Sequence, residues 1–144
     1  MKNFRLLTLT IAIISIAVMI QCQNKQESDT ANSVDIVSAM EKFHTLLRPL
    51  QHQAVPNNDI RAIQTNAGKL QTLAGQIQDA SLPESLKEYR QKIEKLTGEL
   101  FEASKALNAE SDTLSDEKIL AKFATVHDHY EALAEVIYTL DTVQ

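Results

Sequence analysis

The sequence predicts an all-α domain, an antiparallel up-down-up-down four-helix bundle that is preceded by a signal peptide and a short tether. Apolar residues recur at three- and four-residue steps in four separate blocks of residues 33–144, which is the period of amphipathic helices. Short polar stretches separate the blocks, and helices of about twenty residues joined by short loops favour this bundle. No stretch has the apolar–polar alternation that is typical of a strand.

The first predicted helix spans roughly residues 33–54, and the sequence Val-Pro-Asn-Asn at 55–58 ends it. Pro49 lies inside this helix and should bend it, because the ring removes one backbone donor and clashes with the preceding turn. The residues expected to face the core are Ile36, Ala39, Met40, Phe43, Leu47 and Leu50.

The second predicted helix spans roughly residues 59–80, with Asn58 or Asp59 as its N-cap. Gly68 and Gly75 are two turns apart in it, which lowers helix propensity but lets a neighbouring helix approach closely. Its expected core residues are Ile60, Ile63, Ala67, Leu70, Ala74 and Ile77.

The third predicted helix begins at Ser-Leu-Pro-Glu, residues 81–84, where Ser81 would be the cap and Glu84 would complete a capping box. Its expected apolar stripe consists of Leu86, Tyr89, Ile93, Leu96, Leu100, Ala103 and Leu107.

The fourth predicted helix begins at Ser115, after a break at residues 108–113, and acidic residues in its first turn favour a helix start. Its expected stripe consists of Ile119, Phe123, Val126, Tyr130, Leu133, Ile137 and Leu140.

The N-terminal segment predicts export. Lys2 and Arg5 precede an uncharged run over residues 6–20, and Cys22, the single cysteine of the chain, follows. An apolar run of this length is typical of an export signal and is shorter than the ~20 residues that span a bilayer. The segment resembles a bacterial lipoprotein signal, although Gln21 stands where lipoproteins usually carry Gly, Ala or Ser before the cysteine.

That resemblance implies a signal peptide over residues 1–21, lipid attachment at Cys22 and a flexible tether over residues 22–32, followed by the domain at 33–144. We therefore expect an exported protein, anchored by its N-terminal lipid to a bacterial membrane and facing the periplasm or the cell surface. Its contact with the membrane would be through that lipid.

Composition and motifs exclude several classes of function. Removing residues 1–21 moves the net charge from -5 to -7, which argues against binding nucleic acid. A single cysteine allows no disulfide within the chain, no cysteine-based zinc site and no covalently attached haem. The chain lacks the nucleophile-elbow, zinc-protease and phosphate-loop motifs, and Glu41-x-x-His44 is its single Glu-x-x-His pair, too few for a di-iron cage. We expect a protein without catalytic activity.

The four histidines point to a metal site. His44 and His52 lie on the first predicted helix, His127 and His129 on the fourth, and these helices should be neighbours. His44 and His127 border the apolar stripes, whereas His129 is expected to face solvent. Imidazole and carboxylate together suit zinc, copper or nickel. The candidate ligands are His44, His52, His127, Glu131 and Asp59.

The segments HTLLRPLQHQAVPNND and VHDHYE resemble small exported helical-bundle proteins that bind a metal. His44 and His52 are ~12 Å apart along an ideal helix, so a shared ion would need the distortion at Pro49. Two alternatives stay open. In one, the protein is a helical adaptor for an unidentified protein partner, and its histidines are incidental. In the other it resembles the four-helix b-type cytochromes and binds haem non-covalently through Met40 and His127, although the surrounding pattern carries no haem-specific signal.

Overall fold

The computed structural model describes residues 34–141, with side chains to residue 139, and this part of the chain is all-α. Its four long helices are α1 (Ile36–Pro49), α2 (Ile60–Gln78), α3 (Arg90–Glu110) and α4 (Asp116–Asp141). A π-helical turn, Leu50–Ala54, follows α1, and a 3₁₀ helix, Glu84–Tyr89, precedes α3. The prediction of an all-α domain with four helices is confirmed. The predicted signal peptide, Cys22, the predicted tether and the Leu140 side chain lie outside the described residues.

Two aspartates begin the first two helices. Asp35 caps α1, where its carboxylate accepts hydrogen bonds from the Ser38 N–H at 3.0 Å and the Ser38 hydroxyl at 2.7 Å. Asp59 caps α2 by accepting from the Ala62 N–H at 3.0 Å. Of the two caps predicted for α2, the structure selects Asp59, and Asn58 before it adopts a positive φ of 52°.

Pro49 changes the hydrogen-bonding pattern of the first helix. Because proline has no N–H, it cannot continue the regular ladder, and the next five residues form π-helical hydrogen bonds. The Val55 N–H donates to the Leu50 carbonyl at 3.0 Å, a span of five residues. The predicted distortion at Pro49 is therefore a π-helical turn that leads into the connection to α2.

The segment between α2 and α3 differs from the prediction. Ser81 is not a helix cap, because its backbone forms a bridge to the start of α1: its N–H donates to the Val34 carbonyl and its carbonyl accepts from the Ile36 N–H, both at 3.0 Å. The Ser81 hydroxyl points to the same Val34 carbonyl at 3.5 Å. The third helix therefore begins as the 3₁₀ segment and becomes α-helical at Arg90.

The core follows the predicted stripes on α1 and α2 at every position, and on α4 from Ile119 to Ile137. On the third helix the stripe is partly wrong. Tyr89, Leu96 and Ala103 are only partly buried, whereas Thr97 and Ser104 are almost fully buried between the apolar positions. The buried side of the third helix thus alternates leucine or isoleucine with small polar residues, and part of the predicted stripe lies at the surface.

Small residues on α2 bring α3 close. A methyl group added at Gly75 would lie 3.5 Å from the Phe101 ring, and one at Gly68 would lie 3.3 Å from Asn108 Oδ1. This confirms the predicted role of both glycines. Contact is extensive between α2 and α3 and between α3 and α4, and it is slight between α1 and α4. None of the helices in residues 34–141 has the length and hydropathy needed to span a membrane.

Candidate metal site at the edge between α1 and α4

An aromatic stack joins α1 to α4. The ring of Tyr130, which is 3% exposed, lies 5.4 Å from the Phe43 ring and 5.7 Å from the His44 ring, with 17° between the planes in both cases. Phe43 is buried, whereas His44 is exposed. The stack thus places the His44 imidazole at the surface, over Tyr130 and beside the polar face of α4.

The surroundings of Tyr130 disfavour a negative charge on its phenol. Burial raises the pKa of the Tyr130 phenol well above its usual range, and a hydrogen bond with Tyr138 and the nearby carboxylates of Glu131 and Glu41 raise it further. The phenol therefore stays neutral, since an additional negative charge here would be partly desolvated and repelled. The same two carboxylates, one on each helix, would attract a cation.

His127 lies on the same edge, one turn before Glu131. Its side chain is 26% exposed, with Nε2 3.7 Å from Glu131 Oε1 and Nδ1 3.8 Å from Asp128 Oδ1. Both distances are too long for a hydrogen bond. The Nε2–Oε1 separation does suit two ligands of one ion, because donors ~2.1 Å from a shared metal lie no more than about twice that distance apart.

His129 lies on the opposite side of α4, where it is partly exposed and also faces α3. Its side chain is 33% exposed, and Nδ1 lies 3.9 Å from Glu99 Oε2 on α3. Val136, two turns along α4, is also buried on this broad contact. The helical wheel did not predict the approach to Glu99, because it gives an angle from the apolar stripe and not the position of the neighbouring helices.

The remaining predicted ligands lie at the other end of α1. His52 is exposed on the π-helical turn, where it lines a shallow cavity of about 370 Å³ together with Arg48. Asp59 lines a different cavity, of about 430 Å³, and its carboxylate caps α2. Among residues 34–141, no three side chains of His, Cys, Asp or Glu form a group that could hold a metal ion. The structure pairs His127 with Glu131 and places His44 over the adjacent Tyr130.

The residues proposed for haem differ in environment. Met40 is fully buried in the core, at 0% exposed, whereas His127 lies at the surface beside two carboxylates. A methionine in this position packs as an ordinary core residue.

A groove that the sequence pattern did not predict lies between the third helix and α4. Its volume is about 380 Å³, and Tyr89, Leu96 and Val136 supply much of its apolar wall, with Lys92 and Glu135 as charged residues. The missed signal is the apolar Ala132 and Val136 outside the main stripe of α4. These residues widen the apolar surface toward the third helix.

No protein family, no curated protein and no solved structure matches this chain.

Proposed function

We propose that the protein is an exported, non-catalytic lipoprotein, anchored through Cys22 to a bacterial membrane on the periplasmic or cell-surface side, and that its bundle binds a transition-metal ion between α1 and α4. The observation that carries the metal proposal is the His127–Glu131 pair, whose nearest nitrogen and oxygen are 3.7 Å apart. An imidazole and a carboxylate one turn apart on a helix are on the same face. They can therefore bind one ion with little rearrangement.

The proposed ligand set begins with His127 Nε2 and Glu131 Oε1, and His44 is its third member. His44 stacks on Tyr130, the residue immediately before Glu131, and it would have to move to join the pair, because no three such side chains form a group among residues 34–141. Zinc, copper and nickel accept this nitrogen and oxygen set. His52 and Asp59 would join only if the π-helical turn rearranged, and Asp59 would then leave its cap on α2.

We further propose the up-down-up-down order of helices. Contacts between α2 and α3 support it: Gln64 donates to the Ser111 carbonyl at 2.7 Å, Gln71 accepts from Asn108 at 2.8 Å, and Gly75 lies against Phe101. Residue numbers fall along α3 as they rise along α2, which is the pattern of antiparallel neighbours. An antiparallel α4 beside α1 would then complete the bundle at the edge that carries His44 and His127.

The anchor is tested by replacing Cys22. Two or three acyl chains bury many methylene groups at ~0.8 kcal/mol each, which suffices for stable retention in a membrane. Cys22→Ser should release the protein from the membrane fraction or leave a precursor that migrates more slowly. Fractionation and migration identical to the wild type would contradict the lipoprotein assignment.

The metal site is tested on the lipidated protein in detergent, by equilibrium dialysis and by thermal unfolding with zinc, nickel or copper. A bound ion stabilises the folded state by mass action, so the wild type should unfold at a higher temperature with metal. His127→Ala should abolish that increase, and Glu131→Gln should reduce it. His44→Ala should bind metal more weakly than the wild type.

His129→Ala is the matched control, since its imidazole lies on the same helix, has similar exposure and also faces a carboxylate. This variant should retain the wild-type response to metal. Loss of the response in His129→Ala but not in His127→Ala would place the ion on the other side of α4 and contradict the proposed site.

The groove between the third helix and α4 favours a second candidate, the helical adaptor. Its partly exposed Tyr89 and Leu96 offer an apolar surface of the kind that binds a partner. In that case the metal experiments would give no response in any variant. Haem binding has weaker support, because Met40 is packed in the core.

A further inference from the structure

We propose that the end of the bundle at which the chain enters the domain contacts the neutral lipid surface of the membrane that holds the anchor. The inference depends on the proposed lipid attachment at Cys22. It concerns what the folded domain does after attachment, which the anchor alone does not determine.

The start of the domain, the connection between α2 and α3, and the end of α4 lie at one end of the domain. The backbone bridge from Val34 and Ile36 to Ser81 places the start of the domain beside the connection between α2 and α3. Ile36 and Arg90 line one small cavity, of about 70 Å³. Tyr89, adjacent in sequence, shares the larger groove with Thr139 near the end of α4. We call this the entry end.

The exposed apolar residues of the domain are at the entry end. Within residues 34–139, the large hydrophobic side chains that are exposed are Val34, at 41%, and Tyr138, at 37%. The groove adds Tyr89 and Leu96, which are partly exposed. Tyrosine is enriched at membrane interfaces, because its ring is apolar and its hydroxyl can reach the wet headgroup region.

The length of chain before the domain limits how far the entry end can be from the bilayer. Twelve residue steps separate Cys22 from Val34, and at ~3.3–3.6 Å per step their full extension is roughly 40 Å. Val34, at the entry end, can therefore lie no farther than this from a lipid-anchored Cys22. Such tethering raises the effective concentration of the surface, so contacts too weak to bind a free protein become sufficient.

Charge at the entry end favours neutral lipid. Lys87 and Arg90 near it are paired with the carboxylates of Glu84 and Glu94, and the groove carries one basic and one acidic side chain, Lys92 and Glu135. The net charge after removal of residues 1–21 is -7, which opposes an anionic surface. We therefore expect the contact to be made by rings and aliphatic groups at a zwitterionic interface and to change little with salt.

The test uses intrinsic fluorescence. The chain has three tyrosines and no tryptophan, and Tyr130 is buried. The lipidated full chain is incorporated into phosphatidylcholine vesicles, either unmodified or brominated near the top of the acyl chains. Contact by Tyr89 and Tyr138 should make the tyrosine emission lower in brominated vesicles. Tyr89→Phe with Tyr138→Phe should lose that difference, and Tyr130→Phe should keep it.

A pair of charge substitutions provides a second measurement. Val34→Glu should reduce the quenching, because a carboxylate would enter the apolar contact. Ala109→Glu, an exposed position in the last turn of α3, should leave the quenching unchanged.

Flotation of the same vesicles separates the two proposals. Protein that floats with the vesicles but emits equally in both kinds retains the anchor and overturns the lipid contact. Lipidated protein that fails to float overturns the anchor and the contact together. Equal quenching in the double tyrosine variant and the wild type would also overturn the contact.

Discussion

The interface between α2 and α3 and the edge between α1 and α4 are built in different ways. At the α2–α3 interface, glycines and buried small residues allow the helices to approach closely, and amide side chains connect them through Gln71 and Asn108. At the α1–α4 edge the contact is slight, and it is made by the rings of Phe43, His44 and Tyr130.

The difference implies that the contacts that stabilise the fold and the candidate ligand side chains lie in different parts of the molecule. Close packing stabilises a helix pair but leaves no room between the backbones for a ligand. At the edge between α1 and α4 the rings make the contact, and the side chains of His44, His127 and Glu131 are exposed or partly exposed. We therefore expect substitutions in the packed core to change the free energy of unfolding strongly, and substitutions at the edge to change it little.

The largest expected effect is that of Leu100→Ala, in the fully buried centre of α3. Truncation leaves a cavity, so the free energy of unfolding should fall by ~2–5 kcal/mol. Leu96→Ala is the matched control on the same helix. Leu96 lines the groove and is partly exposed. Its truncation should therefore lower the free energy of unfolding, measured by urea denaturation, clearly less than Leu100→Ala does. Equal losses would mean that Leu96 belongs to the core, as the sequence pattern predicted.

Periodicity predicted the core of α1 and α2 because each has one dominant apolar face, and on α4 it predicted the main stripe but not the buried Ala134 and Val136. It failed on the third helix, where Thr97 and Ser104 are buried although both are polar. Their small size suits close helix contact, and Ser104 Oγ is a buried atom without a hydrogen-bond partner in the described residues. A pattern that scores hydrophobicity alone ranks Leu96 above Thr97, and the structure reverses the order.

The candidate site was predictable only where it is local in sequence. His127 and Glu131 are one turn apart on one helix, so spacing alone brings them together. The contact between His129 and Glu99 joins two helices, and the stack of His44 on Tyr130 joins another two. These depend on which helices are neighbours and how they are rotated, which residue spacing does not specify.

The second prediction compares the two N-caps. Asp35→Ala and Asp59→Ala each remove the side-chain acceptor at a helix start and should cost ~0.5–2 kcal/mol. Because α1 has little contact with α4, loss of the Asp35 cap should also increase amide hydrogen exchange locally in the first turn of α1. Loss of the Asp59 cap should increase amide hydrogen exchange over the whole of the packed pair α2 and α3. An identical exchange pattern would contradict the difference between the two regions.

The Asp35 cap should also depend on pH. Hydrogen bonds from the Ser38 N–H and hydroxyl lower the pKa of the Asp35 carboxyl below its ordinary 3.8 in the folded protein. Its contribution is thus fully present above the unfolded-state pKa and is lost as pH falls through the lower, folded-state pKa. The stability difference between wild type and Asp35→Asn, measured by urea denaturation, should be constant near neutral pH and shrink below pH ~4.

The third prediction adds a methyl group at the packed interface. Gly75→Ala should stabilise the protein by ~0.4–1 kcal/mol, because alanine restricts the unfolded chain and favours the helix, and its methyl group would meet Phe101 at an ordinary contact distance of 3.5 Å. At Gly68 the methyl group would lie 3.3 Å from Asn108 Oδ1 and press on the Gln71–Asn108 hydrogen bond. Gly68→Ala should therefore stabilise the protein less than Gly75→Ala does. A larger gain at Gly68 would mean that this hydrogen bond contributes nothing.

The smallest effect near neutral pH belongs to the phenol of Tyr130, at the edge. Burial, followed by the influence of Tyr138 and the two carboxylates, raises the pKa of Tyr130 in the folded protein. The neutral phenol is thus favoured on folding, and its contribution is complete below the unfolded-state value of ~10 and is lost as pH rises above it. Tyr130→Phe keeps the ring stack, so it should unfold like the wild type at neutral pH and lose less stability in strong alkali. In an absorbance titration of the folded protein, the wild type should show a late ionisation step in strong alkali, and Tyr130→Phe should lack it. If instead the wild type shows no such late step before it unfolds, the Tyr130 hydroxyl is open to solvent, and the edge is looser than the stack of rings indicates.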